Sequence, residues 1–328
     1  MHATRLVLAA AAGLALVPAS PARQPAAGKA KLLLAFASFH ERKLHPKVYF
    51  YEHDGVAAGQ VVGSIDPVNQ RSDYRPGLTA DGAVCAFAAE KENETGRIHL
   101  WERAGKKLLD PPKLNDTPNG QLGAAISADG KWLAFAAWNR PGASARWQVV
   151  RYNLTKQEVA ESPGLNDPAA DAQAPSLSGD GRYVAFATNR RGGAGLTDIA
   201  LYDTKEKADV PLPGLNSARS DVTPSLSADG NLIAFASNRL GGAGGFDTYL
   251  YDRSAKGFLP LPGLNAVGHE QTPGLSPDGR YLVFVAERAA GDGERDVYLY
   301  DRAAGKLLPT PGLNSPAEDF DPCVVVVN

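Results

Sequence analysis

Asp221–Asn265 reads D-V-T-P-S-L-S-A-D-G-N-L-I-A-F-A-S-N-R, L-G-G-A-G-G-F-D-T-Y-L-Y-D, R-S-A-K-G-F-L-P-L-P-G-L-N. Val222–Ser227 and Leu232–Ser237 are short apolar-rich runs joined across Ala228-Asp229-Gly230, a tight hairpin in which Gly takes the positive φ. Leu240–Gly245 is a glycine-rich loop. Thr248–Asp252 alternates with period two, and Phe258–Leu261 is a fourth run, stopped by Pro262-Gly263. Four short antiparallel strands in about fifty residues make one blade of a β-propeller.

The block recurs, and the recurrence decides the architecture. Its hairpin appears at Thr79, Ser127, Ser178, Ser227 and Ser276, at spacings of 48, 51, 49 and 49 residues. The closing Pro-Gly-Leu-Asn appears at Pro163, Pro213, Pro262 and Pro311, with degenerate copies at Pro112 and Pro67. Six closers against five hairpins leave one repeat divided between the two ends of the chain. Leu32–Ser38 matches the second strand, Val48–Glu52 the third and Gln60–Ile65 the fourth. The missing first strand is at the other end, where Asp319–Val325 aligns with Asp221–Ser227. The expected fold is all-β: a six-bladed propeller over residues 31–328, closed by pairing the C-terminal strand into the first blade. Closure removes the sheet edges that invite aggregation.

Composition agrees with this reading. The chain has 328 residues, a net charge of −2 and 44% hydrophobic residues, which excludes a low-complexity chain and argues against nucleic acid as its partner. Arg5, the apolar run Leu6–Val17 and the small residues Ala19, Ser20 and Ala22 form a secretory-signal pattern over residues 1–22, followed by a linker over 23–30. The apolar run is short for a membrane span. The protein is therefore expected in the periplasm or secreted, with no membrane span after cleavage.

The units P-S-L-S-x-D-G-x-x-x-A-F-x-S-N-R and D-x-x-L-Y-D resemble the TolB-type propeller repeat over nearly all of the chain after Lys31. TolB carries an α/β domain ahead of its propeller, for which the residues before Lys31 leave no room. The resemblance implies an exported, monomeric, non-enzymatic propeller that binds a protein or peptide of the cell envelope.

No catalytic motif is present: no Gly-x-Ser-x-Gly, His-Glu-x-x-His, P-loop or Cys-x-x-Cys. The serine and aspartate of each hairpin recur blade by blade and read as turn formers. Cys85 and Cys323 read as buried free thiols. His40, His45 and His53 lack zinc-ligand spacing.

The position three before the inner-strand proline carries Asp73, Gln121, Ala172 (with Asp171 beside it), Asp221, Glu270 and Asp319. These are expected to ring the channel mouth, where four carboxylates would suit calcium or a cationic ligand. The hairpin register supplies an alternative, placing Asp221 beside Arg239. Its equivalents are Lys91, Asn139, Arg190, Arg288 and His40. Acid and base change together, since neutral Gln121 meets neutral Asn139. In-blade ion pairing is the favoured reading and no cofactor is expected.

Blade three departs from the pattern, with Ala124 for the proline and Trp138-Asn139-Arg140-Pro141 then Arg146-Trp147 in place of the Gly-Gly loop. Trp138, Arg140, Arg146 and Trp147 are the candidate partner-binding residues. The competing class is a hydrolase or lyase acting on a glycan or peptide at the channel mouth, which a unique, unpaired channel acid or histidine would favour.

Overall fold

The computed structural model describes residues 31–40, 45–65, 71–91, 96–116, 120–138, 146–288 and 291–327. The expected leader and linker lie outside these. Twenty-four strands form six four-stranded antiparallel sheets, and the described residues contain no α-helix. Blade two is β4 (Arg71–Leu78) to β7 (Lys107–Leu109); blade three is β8 (Gln121–Ile126), β9 (Trp132–Trp138), β10 (Trp147–Asn153) and β11 (Glu158–Ala160). Blade four runs from β12 (Ala172–Leu177) through β13 (Tyr183–Thr188) and β14 (Asp198–Asp203) to β15 (Ala208–Asp209). Blade five is β16 (Asp221–Leu226), β17 (Leu232–Ser237), β18 (Asp247–Asp252) and β19 (Gly257–Leu259), and blade six is β20 (Glu270–Leu275) to β23 (Lys306–Leu308).

Blade one joins the chain ends in the order β24 (Asp319–Val327), β1 (Lys31–Ser38), β2 (Lys47–His53), β3 (Gly59–Ser64). Its register runs from Lys31 opposite Val327 to Ser38 opposite Asp319. The innermost strands touch in a ring: β24, β4, β8, β12, β16, β20 and back to β24.

Each recurring residue has a physical task. The phenylalanine of the second strand (Phe36, Phe87, Phe135, Phe186, Phe235, Phe284) is sealed in the core at every blade. The hairpin serine bonds its aspartate two residues on and accepts the amide five residues on, as Ser227 does with Asp229 at 2.5 Å and Leu232 at 2.9 Å. Gly230 closes that turn at φ 67°.

The Pro-Gly-Leu-Asn closer is a blade-to-blade clip. Its leucine is buried. Its asparagine imitates a strand residue, as Asn216 accepts the Ile199 amide at 2.8 Å and donates to the Ile199 carbonyl at 2.9 Å. Its proline carbonyl accepts the tyrosine hydroxyl of the next blade: Tyr202 to Pro163, Tyr251 to Pro213, Tyr300 to Pro262 and Tyr51 to Pro311, at 2.6–3.0 Å. Repetition of one such bond, each worth about 1 kcal/mol net, ties the ring together. Blade two has Trp101 at this position and lacks the hydroxyl.

Candidate functional site

Four of the six positions three before the inner-strand proline carry polar side chains that lie at the loop-bearing rim and are sealed from solvent. Asp221, Glu270, Asp319 and Gln121 are all buried, and none of them lines the channel. Asp221 Oδ1 accepts Arg239 Nη2 at 2.8 Å, while Asp221 Oδ2 accepts the Ser217 amide at 2.6 Å. Arg239 also donates to the Leu215 carbonyl at 2.7 Å and Ser237 Oγ at 3.0 Å, and its guanidinium lies over the rings of Phe235, Tyr249 and Phe258. Glu270 and Arg288 repeat the pair at 3.6 Å, with Arg288 over Phe284 and Tyr298. Burial pushes the Glu270 carboxyl above the ordinary range. Gln121 substitutes hydrogen bonds, accepting from the Ile98 amide and donating to the Leu114 carbonyl. These contacts fasten blades three, five and six to the loops that enter them.

Blade four pairs differently. Arg190 bonds Asp209 at 2.6 Å, and Asp171 instead receives Arg146 at 3.3 Å and the Trp147 amide at 2.9 Å. Asn139 and Arg140 lie outside the described residues, as do the side chains of Asp73 and Lys91. The backbone places Asp73 opposite Ala89, two residues short of Lys91.

Blade one has no arginine in the Arg239 position. His40 occupies it, with its amide on Ser38 Oγ at 2.8 Å and its ring against Tyr49. Asp319 accepts the Ser315 amide and hydroxyl through Oδ2, and the Ser38 hydroxyl beside it also favours the charged form. Burial, aided by Asp296, pushes the Asp319 carboxyl up to about 6. A raised carboxyl destabilises the folded state as pH rises through that value, and its contribution is fully present only below the unfolded value near 4. Asp319→Asn is therefore expected to stabilise the protein above pH 7 relative to below pH 4.5, by on the order of 2–3 kcal/mol. Urea titrations of both proteins across that range check this; parallel pH profiles would contradict it.

A second set of buried acids went unread in the sequence. Asp198, Asp247 and Asp296 open the third strand and collect amides of the preceding glycine-rich loop, from Gly195, Ala243 and Gly293. A Cβ on Gly193, Gly242 or Gly291 would collide with that carboxylate, so the Gly-Gly loop is shaped around it.

The channel is lined by positions two residues further along. In every innermost strand the residue before the proline, or before Ala124, sits at φ 45–63°: Arg75, Gly123, Ala174, Thr223, Thr272 and Asp321. The ladder slips there, as between Val222 and Ser225 in β16, and such a bulge re-aims a side chain. The signal available in the sequence was the pre-proline position, but the usual rule places such residues in extended backbone. Among the described residues no group of three or more His, Cys, Asp or Glu side chains is placed to hold a metal ion. His53 is engaged with the Pro309 carbonyl and the Gly55 amide, and neither Cys85 nor Cys323 is in a disulfide, with burial pushing the Cys323 thiol up to about 12.

Together these features define a six-bladed propeller with its repeated polar groups turned inward as ties between blades. No family model matches the chain, and no curated protein is similar to it in sequence. Its fold is that of a TolB-like propeller. TolB from Acinetobacter baumannii matches with a TM-score of 0.64 at 17% identity, over 90% of this chain and 67% of that one. A putative TolB from Agrobacterium tumefaciens matches at 0.55 and 16% identity, over 92% and 100%. An oligogalacturonate lyase in complex with manganese matches at 0.51 and 14% identity, over 85% and 72%. At these identities the likeness is one of fold, and fold alone does not assign chemistry.

Proposed function

We propose that the protein is an exported binding module of the cell envelope whose loop-bearing face docks a protein or peptide partner. The observation that carries this reading is where its exposed apolar side chains fall. Among the described residues the three most exposed large apolar side chains, Val267, Leu240 and Leu196 at 72–90%, belong to segments following the second or fourth strand of a blade, and Trp138, 37% exposed, ends the second strand of blade three. That puts them on one face, across blades three to five. Trp138 stacks edge-on against Trp147 at 5.4 Å, and Arg146 beside it is held by Asp171. Pre-set aromatic and arginine side chains are the types that dominate interfaces.

The second reading, a hydrolase or lyase, has one observation behind it, since among the described residues Asp321 is the only acid lining the channel. Acid–base cleavage of a glycan ordinarily needs two carboxylates. Arg75 is the only other charged lining residue among those described. The binding reading is therefore preferred.

Trp138→Ala and Trp147→Ala are each expected to weaken partner capture by about 30-fold, equivalent to roughly 2 kcal/mol at a hot spot. The melting temperature should stay nearly unchanged. Unfolding of both variants would place the tryptophans in the core and remove the patch.

A further inference from the structure

At the opposite end of the axis from that face, the channel holds a cavity of about 190 Å³ lined by all six blades. It runs from the bulge residues to the Ser-x-Asp-Gly hairpins. Its walls are held by blade-to-blade bonds, from the Leu226 amide to Ser176 Oγ and from the Leu275 amide to Ser225 Oγ, both 2.9 Å. The hairpins are tied in series as well, with Asp129 N bonded to Gly179 O and Gly179 N to Ala228 O.

The six bulge residues are unequal in a way the rest of the repeat is not. Four are small or neutral: Gly123, Ala174, Thr223 and Thr272. The other two, Arg75 and Asp321, are neighbours in the ring and are the only charged residues among the described ones that line the cavity. Thr223 and Thr272 keep φ 49° and 45° there, a conformation costly for a β-branched residue. Arg75 Nε and Asp321 Oδ2 are 3.9 Å apart, beyond hydrogen-bond distance, so the two charges sit side by side without that contact being a hydrogen bond. Burial holds the Asp321 carboxyl above its ordinary range, with Arg75 and Arg295 opposing it.

We propose that this cavity is a receptor for a small zwitterion of the α-amino acid type, with the ligand carboxylate on Arg75 and its ammonium on Asp321. An α-amino acid carries its two charges on adjacent groups, so its receptor must hold a cation and an anion together. A singly charged ligand engages only one of them, and only a ligand carrying both charges exchanges the long Arg75–Asp321 contact for two direct ones. A calcium ion would find a single carboxylate where it takes six to eight oxygens. The volume lies below the roughly 300–1,000 Å³ of drug-sized sites, which limits the ligand to a small molecule. The guanidinium offers a planar fork suited to a carboxylate.

Calorimetric titration of the full chain with glycine, alanine, serine, valine and leucine tests this, with ethylamine and propionate as singly charged controls. At least one amino acid should bind saturably, and neither control should. Asp321→Asn and Arg75→Met should each lower the affinity by at least about tenfold, the scale of one lost charged contact. Arg75→Lys, which keeps the charge without the fork, guards against a variant that fails to fold and should also bind more weakly. Absence of binding by all five amino acids would overturn the proposal. So would controls that bind equally well, or folded Arg75 and Asp321 variants with unchanged affinity.

Discussion

Arg239→Ala is expected to lower the unfolding free energy by about 3–5 kcal/mol, the cost of leaving a buried charge without its partner. Asp221 is wholly buried and the Arg239 side chain is 10% exposed, so solvent does little to screen the loss. The guanidinium also holds the Leu215 carbonyl and covers three aromatic rings. Arg288→Ala should cost less, because its pair is 3.6 Å long and burial already favours the neutral form of Glu270. Adding Asp221→Asn to Arg239→Ala should recover part of the loss, since the stranded anion is then gone. Denaturant unfolding of the singles and the double checks all three. A cost for Arg239→Ala below 1 kcal/mol, the range of an exposed pair, would mean the pair is solvated.

Removing residues 319–328 should have the larger consequence. It deletes the whole of β24 and exposes β1, whose Leu33, Leu34 and Ala35 are sealed beneath it. An apolar strand with a row of unpaired amides and carbonyls is a template for aggregation. The ring also loses the contacts of β24 with β4 and β20. The truncated protein is expected to aggregate or lose its single cooperative transition. A melting curve matching that of the full chain would show that the ring does not depend on this strand.

Repetition made most of the architecture legible. Five hairpins and six closers forced a divided blade, and the match of Asp319–Val325 to Asp221–Ser227 located its missing strand. The Asp221–Ser237 register was also readable, because the hairpin sets the pairing; it is the observed one. Depth was not readable. A period-two pattern cannot reveal that the innermost strand slips by a bulge, and that slip separates Asp221, buried at the rim, from Thr223 in the channel wall. The third-strand acids Asp198, Asp247 and Asp296 stayed hidden because their partners are backbone amides of glycine-rich loops, which leave no complementary side chain in the sequence. Arg146 stayed hidden for a different reason: its carboxylate partner, Asp171, lies at the entry to the next blade.

The docking face can be tested by placing a photo-crosslinking residue at Leu240, on the loop-bearing face, or at Lys256, in a hairpin on the opposite face. Both sites are exposed. The expected result, read by mass spectrometry in the native envelope, is a discrete protein adduct from position 240 alone, lost when Trp138 and Trp147 are both alanine. An adduct formed equally from position 256, or one that survives the double substitution, would contradict a partner seated on blade three.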